Sequence, residues 1–144
     1  EMVGVNSRLD ALQAAILRCK LPHIDEWNAG RREAARRYSK ALAGVDGIVT
    51  PVEVDYGTHV FHQYTIRLTS ANRDEVQNKL NEAGVSTMVY YEKPLHKLPV
   101  YSHMNVTVPV SEVVASQVLS LPIWPKITWE VQERVVEALK TAVL

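Results

Sequence analysis

The chain has 144 residues, of which 47% are hydrophobic and 22% charged, and these fractions are typical of a soluble globular domain with its own core. Sixteen basic and sixteen acidic residues give a formal net charge of zero, which argues against a nucleic-acid partner, because such proteins carry a basic surface. No apolar run approaches the roughly 20 residues that span a membrane, and the single cysteine, Cys19, excludes an internal disulfide, so we expect a cytoplasmic protein with no membrane partner.

Two helices are predicted in the first 44 residues. Ser7 and Asp10 have the spacing of a loose capping box, which predicts a helix over residues 7–20. The second helix ends at Gly44, a typical C-terminal residue. Its inner face is predicted to carry Ile24, Trp27, Ala34, Tyr38 and Leu42. We therefore expect residues 1–44 to form a helical arm that links to another domain.

Residues 45–144 are predicted to form a small αβ domain, because short apolar runs alternate with helical patterns. The predicted strands are 59–68 and 85–91, and residues 48–52 form a further short apolar stretch. The predicted helices begin after Asn72, near residue 112 and after Thr128, and the last one buries Val131, Val135, Leu139 and Ala142. This order indicates an α+β fold, in which a small, mostly antiparallel sheet packs with helices.

Asn6 and Arg8 are the first candidate site, since they stand where the first helix is predicted to begin. The simpler interpretation is that Asn6 or Ser7 caps that helix. The functional interpretation is an anion site, because a helix N-terminus, an amide donor and a guanidinium all suit a phosphate. The two interpretations are compatible.

Tyr90, Tyr91 and His96 form the second candidate cluster. Adjacent residues of a regular strand point to opposite faces, so both tyrosines can line one pocket only if the strand ends there. The alternatives are one core and one surface tyrosine, and an ordinary loop histidine.

No metal site is predicted. His59 and His62 are expected to face opposite sides of a strand, and no histidine or cysteine has a zinc-ligand spacing. The residues alone therefore indicate a candidate anion site and no complete catalytic set.

Several segments resemble, in order, the DegT/DnrJ/EryC1/StrS family of pyridoxal-phosphate (PLP) sugar aminotransferases. These segments are GVNSRLDALQAAILRCKLPHIDEWN, FHQYTIRL, RDEVQNKLNEAGV, YYEKPLH and LSLPIWP. The resemblance implies the C-terminal small domain of a fold-type I enzyme that acts as a homodimer. It also implies that the large PLP-binding domain, with its Schiff-base lysine, lies upstream of residue 1.

The resemblance assigns roles to the candidate residues. Asn6 matches the asparagine that reaches the PLP phosphate of the neighbouring subunit, and Arg8 matches a basic position near the nucleotide-sugar. Tyr90 and Tyr91 match positions near the substrate diphosphate and sugar, and His96 matches a substrate-side histidine.

The implied reaction moves an amino group from an amino acid, expected to be glutamate, to a keto-sugar nucleotide, with PLP as electron sink. We expect this chain alone to be inactive. The alternative is a stand-alone αβ ligand-binding or protein-interaction module without catalysis. A lysine in an aminotransferase-like segment upstream of Glu1 would separate the two hypotheses.

Overall fold

The computed structural model describes residue 6 and residues 8–144, which form helices around a small sheet. The helices are α1 (Ala11–Lys20), α2 (Ile24–Leu42), α3 (Arg73–Glu82), α4 (Pro109–Gln117) and α5 (Trp129–Val143). The strands are β1 (Ile48–Val49), β2 (Tyr64–Leu68) and β3 (Val118–Leu121). Short 3-10 turns cover Leu21–His23, Leu95–Lys97 and Pro99–Met104. No helix in this described part is long and apolar enough to cross a membrane.

The sheet has the order β1-β2-β3, and both strand pairs are antiparallel. Every second residue of the central strand β2 points into the core, where Tyr64, Ile66 and Leu68 are almost completely buried. Helices α2, α3 and α5 supply the remaining core. Their buried residues include Tyr38, Leu42, Val76, Leu80, Val135 and Leu139. The α+β fold with an antiparallel sheet is therefore confirmed.

Hydrogen bonds tie α2 into this core. The rings of Tyr38 and Tyr64 lie 5.1 Å apart, and the Tyr38 hydroxyl donates to the Pro122 carbonyl oxygen at 2.9 Å. Gln132 Nε2 of α5 donates to the Ala34 carbonyl oxygen of α2 at 2.8 Å. The C-terminal half of α2 therefore packs against the sheet and α5.

Two glycines shape α2. Gly44 follows its end with a φ of +74°, as predicted for a helix-terminating glycine. Gly30 lies mid-helix against the turn after β3, where a Cβ atom would overlap the carbonyl oxygen of Pro125. Backbone contact at this point requires glycine.

The first helix begins later than predicted. Asp10 is its N-cap and accepts a hydrogen bond from the Gln13 amide at 2.8 Å, so α1 starts at Ala11. Asn6 does not cap this helix, and Ser7 lies outside the described residues. α1 contains no buried residue.

The predicted strand over 85–91 is wrong, because only a single bridge forms, between Met88 and Ser120. The free edge of β3 is short, and the residue after it is Pro122, which has no N–H to donate. The predicted alternation nonetheless holds in part, since Val85 and Thr87 are buried.

The other predicted elements differ mainly at their ends. β1 covers only 48–49, since Pro51 cannot pair, and β2 begins at Tyr64 because Phe61 has a φ of +46°. α4 begins earlier than predicted, at Pro109, which suits a first helical position. In α5 the inward stripe runs through Gln132 rather than Val131, which is 40% exposed.

Candidate functional site

The outer face of the sheet, opposite the core, is polar. Gln63 and Thr65 alternate with the buried residues of β2 and therefore point outward. Thr65 pairs with Ser120 in the antiparallel register, and their side-chain oxygens lie 2.8 Å apart. This hydrogen bond orders the floor of a groove.

We call the depression above this floor the outer-face groove. It consists of three adjoining cavities of about 330, 440 and 70 Å³, and Gln63 lines all three. His62 lies between the two larger cavities, and Trp124 closes the far side of the first. The groove thus combines amide, imidazole, hydroxyl and aromatic groups.

Tyr90 and Tyr91 lie at the mouth of the outer-face groove. Their side chains are 54% and 77% exposed, so neither tyrosine belongs to the core. Tyr90 lines the first cavity, Tyr91 the second, and both line the smallest one. The two residues line one cavity because strand pairing ends at the single bridge of Met88. The sequence predicts a shared pocket only if the strand ends before the tyrosines.

Thr87 has a buried hydroxyl without a hydrogen-bond partner among the described residues. Its side chain lines the first cavity and is 8% exposed. A buried hydroxyl without a partner is unfavourable by about 1–3 kcal/mol.

His59 and His62 face the same cavity, so the prediction that they face opposite sides is wrong. They precede β2, where the positive φ of Phe61 breaks the strand alternation. His59 Nδ1 accepts a hydrogen bond from the Phe61 amide at 2.9 Å. In the described part of the chain, no group of three or more His, Cys, Asp or Glu is placed to hold a metal ion.

His96 lies in a different place from the two tyrosines. Its side chain is only 8% exposed, and its Nε2 is 2.9 Å from Oε1 of Glu112 in α4. Lys97 Nζ lies 3.4 Å from the other oxygen of the same carboxylate. The hydrogen bond with His96, and then that with Lys97, holds the pKa of Glu112 below its usual value. His96 also lines a cavity of about 250 Å³ with Ser102 and Asn105.

Asn6 and Arg8 are exposed and form a tight turn rather than a helix start. Asn6 Oδ1 accepts a hydrogen bond from the Arg8 amide at 2.9 Å, and Arg8 has a φ of +57°. The carboxylate of Asp10 occupies the N-terminus of α1. The prediction that Asn6 and Arg8 stand at a helix N-terminus is therefore wrong, whereas an anion site at these two residues stays a prediction.

The donor set of this turn nevertheless fits a phosphate. Asn6 Oδ1 is engaged by the Arg8 amide, which leaves Nδ2, a donor, as the end of the side chain that can meet a ligand oxygen. The guanidinium of Arg8 adds a permanent positive charge to the same exposed turn.

All seven lysines of the chain lie among the described residues, and all are exposed. Two of them have a partner: Lys79 Nζ donates to the Ala142 carbonyl oxygen at 3.0 Å, and Lys97 pairs with Glu112. A lysine that reacts with a carbonyl needs a lowered pKa, which burial or a neighbouring cation provides. None of the seven has the buried environment that such a lysine uses.

Gln63, Thr87, Ser120 and Glu112 were not predicted from the sequence as site residues. Gln63 could have been found, because it continues the outward polar alternation of β2. Thr87, Ser120 and Glu112 gain their importance from contacts between distant segments, and no local pattern indicates these.

The DegT/DnrJ/EryC1/StrS aminotransferase family model matches residues 1–140. The chain belongs to this family. Its similarity to individual family members extends over nearly all of its length.

Two relatives illustrate this similarity. The pleiotropic regulatory protein of Geobacillus stearothermophilus is 47% identical over 143 residues, which cover 96% of this chain and 38% of that protein. The dTDP-3-amino-3,4,6-trideoxy-alpha-D-glucose transaminase of Streptomyces venezuelae is 39% identical over 143 residues, which cover 97% of this chain and 37% of that protein.

Solved structures of family members agree with the fold. DesV of S. venezuelae matches with a TM-score of 0.87 and 39% identity, over 99% of this chain and 39% of that one. NtdA of Bacillus subtilis, solved with the cofactor PMP, matches with a TM-score of 0.83 and 34% identity, over 97% of this chain and 34% of that one. The chain thus spans less than two fifths of the length of each of these relatives.

Proposed function

We propose that this chain is the C-terminal part of a PLP-dependent nucleotide-sugar aminotransferase. The whole enzyme would move an amino group from glutamate to a keto-sugar nucleotide. The observation that carries this proposal is the outer-face groove, in which both family-matched tyrosines meet the polar floor of the sheet. Relatives whose names specify dTDP-sugar and UDP-sugar aminotransferases support the substrate class.

Asn6 would contribute to holding the cofactor in the neighbouring subunit of a homodimer. When bound, PLP supplies the electron sink for amino transfer. This chain would contribute to binding, because Asn6 Nδ2 could donate to a phosphate oxygen while Oδ1 accepts from the Arg8 amide. The lysine that reacts with PLP would come from a large N-terminal domain, in agreement with the exposure of all lysines here.

The remaining candidates would hold the nucleotide-sugar. Arg8 can pair with a diphosphate oxygen through two N–H groups. Tyr90 and Tyr91 offer hydroxyl donors and ring faces at the groove mouth, where a sugar or a diphosphate can hydrogen-bond. His96 would contact the substrate from its separate cavity.

The exposed apolar face of α1 supports the assembly of a larger protein. We name this face by its residues, Leu9, Leu12, Ile16, Leu17 and Leu21, each at least half exposed. An apolar patch of this kind is typical of an interface. In the proposed cytoplasmic enzyme it would lie against the large domain and the dimer partner, with residues 1–44 as the linking arm and residues 45–144 as the small domain.

The test is single-turnover kinetics of the two half-reactions in the intact enzyme. Tyr91→Phe should slow amino transfer to the keto-sugar nucleotide by about tenfold, the effect of one hydrogen bond. It should leave the reaction with glutamate unchanged, because Tyr91 would contact only the sugar substrate. Tyr56→Phe, which removes the hydroxyl of a ring that is 92% exposed, is the matched control.

Two results would contradict the proposal. Equal slowing of both half-reactions would assign Tyr91 a structural role. An intact protein that neither binds PLP nor transfers an amino group would favour the alternative, a binding or interaction module without catalysis.

A further inference from the structure

We propose that Glu112 is a positioning residue for His96, which sets the protonated nitrogen of the imidazole and leaves Nδ1 to accept a hydrogen bond from the nucleotide-sugar. The choice of substrate in this inference rests on the proposed function. The pairing itself rests on contacts between two distant parts of the chain.

The two residues meet across sixteen positions of sequence. His96 lies in the 3-10 turn Leu95–Lys97, and Glu112 lies in the first turn of α4. The distance from His96 Nε2 to Glu112 Oε1 is 2.9 Å, within the range of a good hydrogen bond. The carboxylate is favoured at this end of α4, because the helix dipole is positive there.

The pair is sheltered on the histidine side. The His96 side chain is 8% exposed, against 34% for Glu112. A ring that is packed on most sides has few alternative orientations. The contact with Glu112 therefore fixes the rotation of the ring as well as its polarity.

The chemistry of a carboxylate determines where the histidine proton lies. Glu112 is ionised at neutral pH, because its pKa is held below the usual range by His96 and Lys97. An ionised carboxylate only accepts hydrogen bonds, so Nε2 of His96 must carry a proton. In a neutral imidazole the other nitrogen, Nδ1, is then an acceptor.

An acceptor in this place suits a sugar hydroxyl. His96 lines the 250 Å³ cavity together with Ser102 and Asn105, and Nδ1 has no hydrogen-bond partner among the described residues. Asn105 ends the 3-10 turn Pro99–Met104 in the left-handed region, with a φ of +46°. A hydroxyl group that enters could donate to Nδ1.

Lys97 provides a matched control, because it contacts the same carboxylate and not the imidazole. Its Nζ lies 3.4 Å from Oε2 of Glu112, and its side chain is 54% exposed. If Glu112 merely fastened the 3-10 turn to α4, removal of either partner would have a similar effect. If Glu112 positions His96, the two removals differ.

The experiment measures KM and kcat of the intact enzyme with Glu112→Ala, Glu112→Gln and Lys97→Ala. Glu112→Ala should raise KM for the keto-sugar nucleotide by about 10- to 100-fold, as expected for loss of a charged hydrogen bond. The half-reaction with glutamate should not change. Glu112→Gln should recover part of the loss, because its amide oxygen can accept from Nε2–H, and Lys97→Ala should stay within about threefold of the wild type.

A spectroscopic measurement decides the pairing independently of activity. In ¹⁵N-histidine-labelled protein, the His96 signals are those missing from His96→Gln, and they should show the proton on Nε2. In Glu112→Ala this preference should be lost, and in Glu112→Gln it should persist. The isosteric Gln variant keeps the test decisive even where the Ala variant does not fold.

Each outcome has a defined meaning. A proton on Nδ1 in the wild type, or equal KM effects of Glu112→Ala and Lys97→Ala, would overturn the positioning role. A wild-type enzyme that transfers no amino group to any sugar nucleotide would overturn the proposed function instead, and the ¹⁵N spectrum would then decide the Glu112–His96 pairing alone.

Discussion

Asn6 uses one end of its side chain inside the molecule. Its Oδ1 accepts from the Arg8 amide at 2.9 Å, so the orientation of the amide is set before any ligand arrives. Nδ2 is the only donor atom of that side chain. The proposed contact with phosphate therefore depends on Nδ2, and the hydrogen bond with the Arg8 amide depends on Oδ1. The two roles can be separated by mutation.

Asn6→Asp should separate them. The aspartate can still accept from the Arg8 amide, but it offers no donor and places a negative charge near the phosphate. We expect Asn6→Asp and Asn6→Ala both to weaken PLP binding by the intact enzyme by about tenfold or more. PLP affinity, measured by titration of the apoenzyme, provides the check. If Asn6→Asp binds PLP like the wild type, only the turn matters and Asn6 does not contact the cofactor.

Burial makes two tyrosines sensitive to alkaline pH. Burial raises the pKa of Tyr64 from 10.0 to about 12, partly offset by its hydrogen bond with Ser39, and burial also raises the pKa of Tyr38. The pKa of each hydroxyl is higher in the folded than in the unfolded state. The contribution of the protonated hydroxyls to the free energy of unfolding is therefore complete below pH 10 and is lost as the pH rises towards 12. For Tyr64 it amounts to at most about 3 kcal/mol.

We therefore expect the free energy of unfolding to fall between about pH 10 and pH 12, and Tyr64→Phe to reduce this fall. Urea unfolding at a series of pH values measures both. Tyr56→Phe, with an exposed ring, should follow the wild-type curve. A wild-type stability that stays constant across this interval would show that the two buried hydroxyls do not ionise during unfolding.

At the scale of elements, α1 and α3 have similar caps but different surroundings. Asp10 caps α1 through the Gln13 amide, and Asn72 caps α3 through the amides of Asp74 and Glu75. α3 places Val76 and Leu80 in the core, whereas α1 has no buried residue. The same chemical change should therefore have different consequences in the two helices.

Asn72→Ala should lower the free energy of unfolding by about 1 kcal/mol, the usual effect of losing an N-cap. Asp10→Ala should leave it within about 0.5 kcal/mol and instead speed amide hydrogen exchange in α1, because that helix can fray without opening the core. Chemical denaturation and hydrogen exchange of the two variants measure these effects. An equal loss of global stability from both would mean that α1 unfolds together with the core.

Helices were easier to predict than strands, for a physical reason. α2 and α3 carry their own signals, an inward stripe and a terminal cap, and both were predicted nearly to the residue. Strand limits depend on the neighbouring segment. Residues 85–91 have the alternation of a strand, but β3 ends at Leu121, and Pro122 after it has no N–H for residue 86, which lies opposite.

The candidate site shows the same distinction. Tyr90, Tyr91 and His96 belong to motifs that can be read from the sequence and matched to a family. The sequence did not predict that Tyr90 and Tyr91 share a cavity while His96 lines another, because these positions depend on where the chain leaves the sheet. The contact between His96 and Glu112 joins residues sixteen apart, and no local periodicity indicates it.

For the whole molecule, we predict that this chain without further domains folds and does not form a stable covalent complex with PLP. Its core involves α2, α3, α5 and the sheet, all within residues 24–143. Its lysines are all solvent-exposed, so none has the buried environment in which a lysine becomes reactive towards an aldehyde.

Borohydride reduction after incubation with PLP, followed by mass spectrometry, measures this. We expect scattered, substoichiometric labelling of surface lysines. Stoichiometric labelling of one lysine, together with amino transfer to a keto-sugar nucleotide, would show that catalysis resides in this chain.

The contact at Gly30 joins α2 to the turn whose Trp124 lines the outer-face groove. Pro125 presses on the helix backbone at Gly30, and Trp124, the preceding residue, forms a wall of the outer-face groove. A methyl group at position 30 would displace that turn and with it the indole. Gly30→Ala should therefore alter which sugars the groove accepts, although position 30 touches none of them, and a substrate panel compared with wild type would show it. The absence of a side chain at position 30 thus allows Pro125 to lie against α2 and Trp124 to line the outer-face groove.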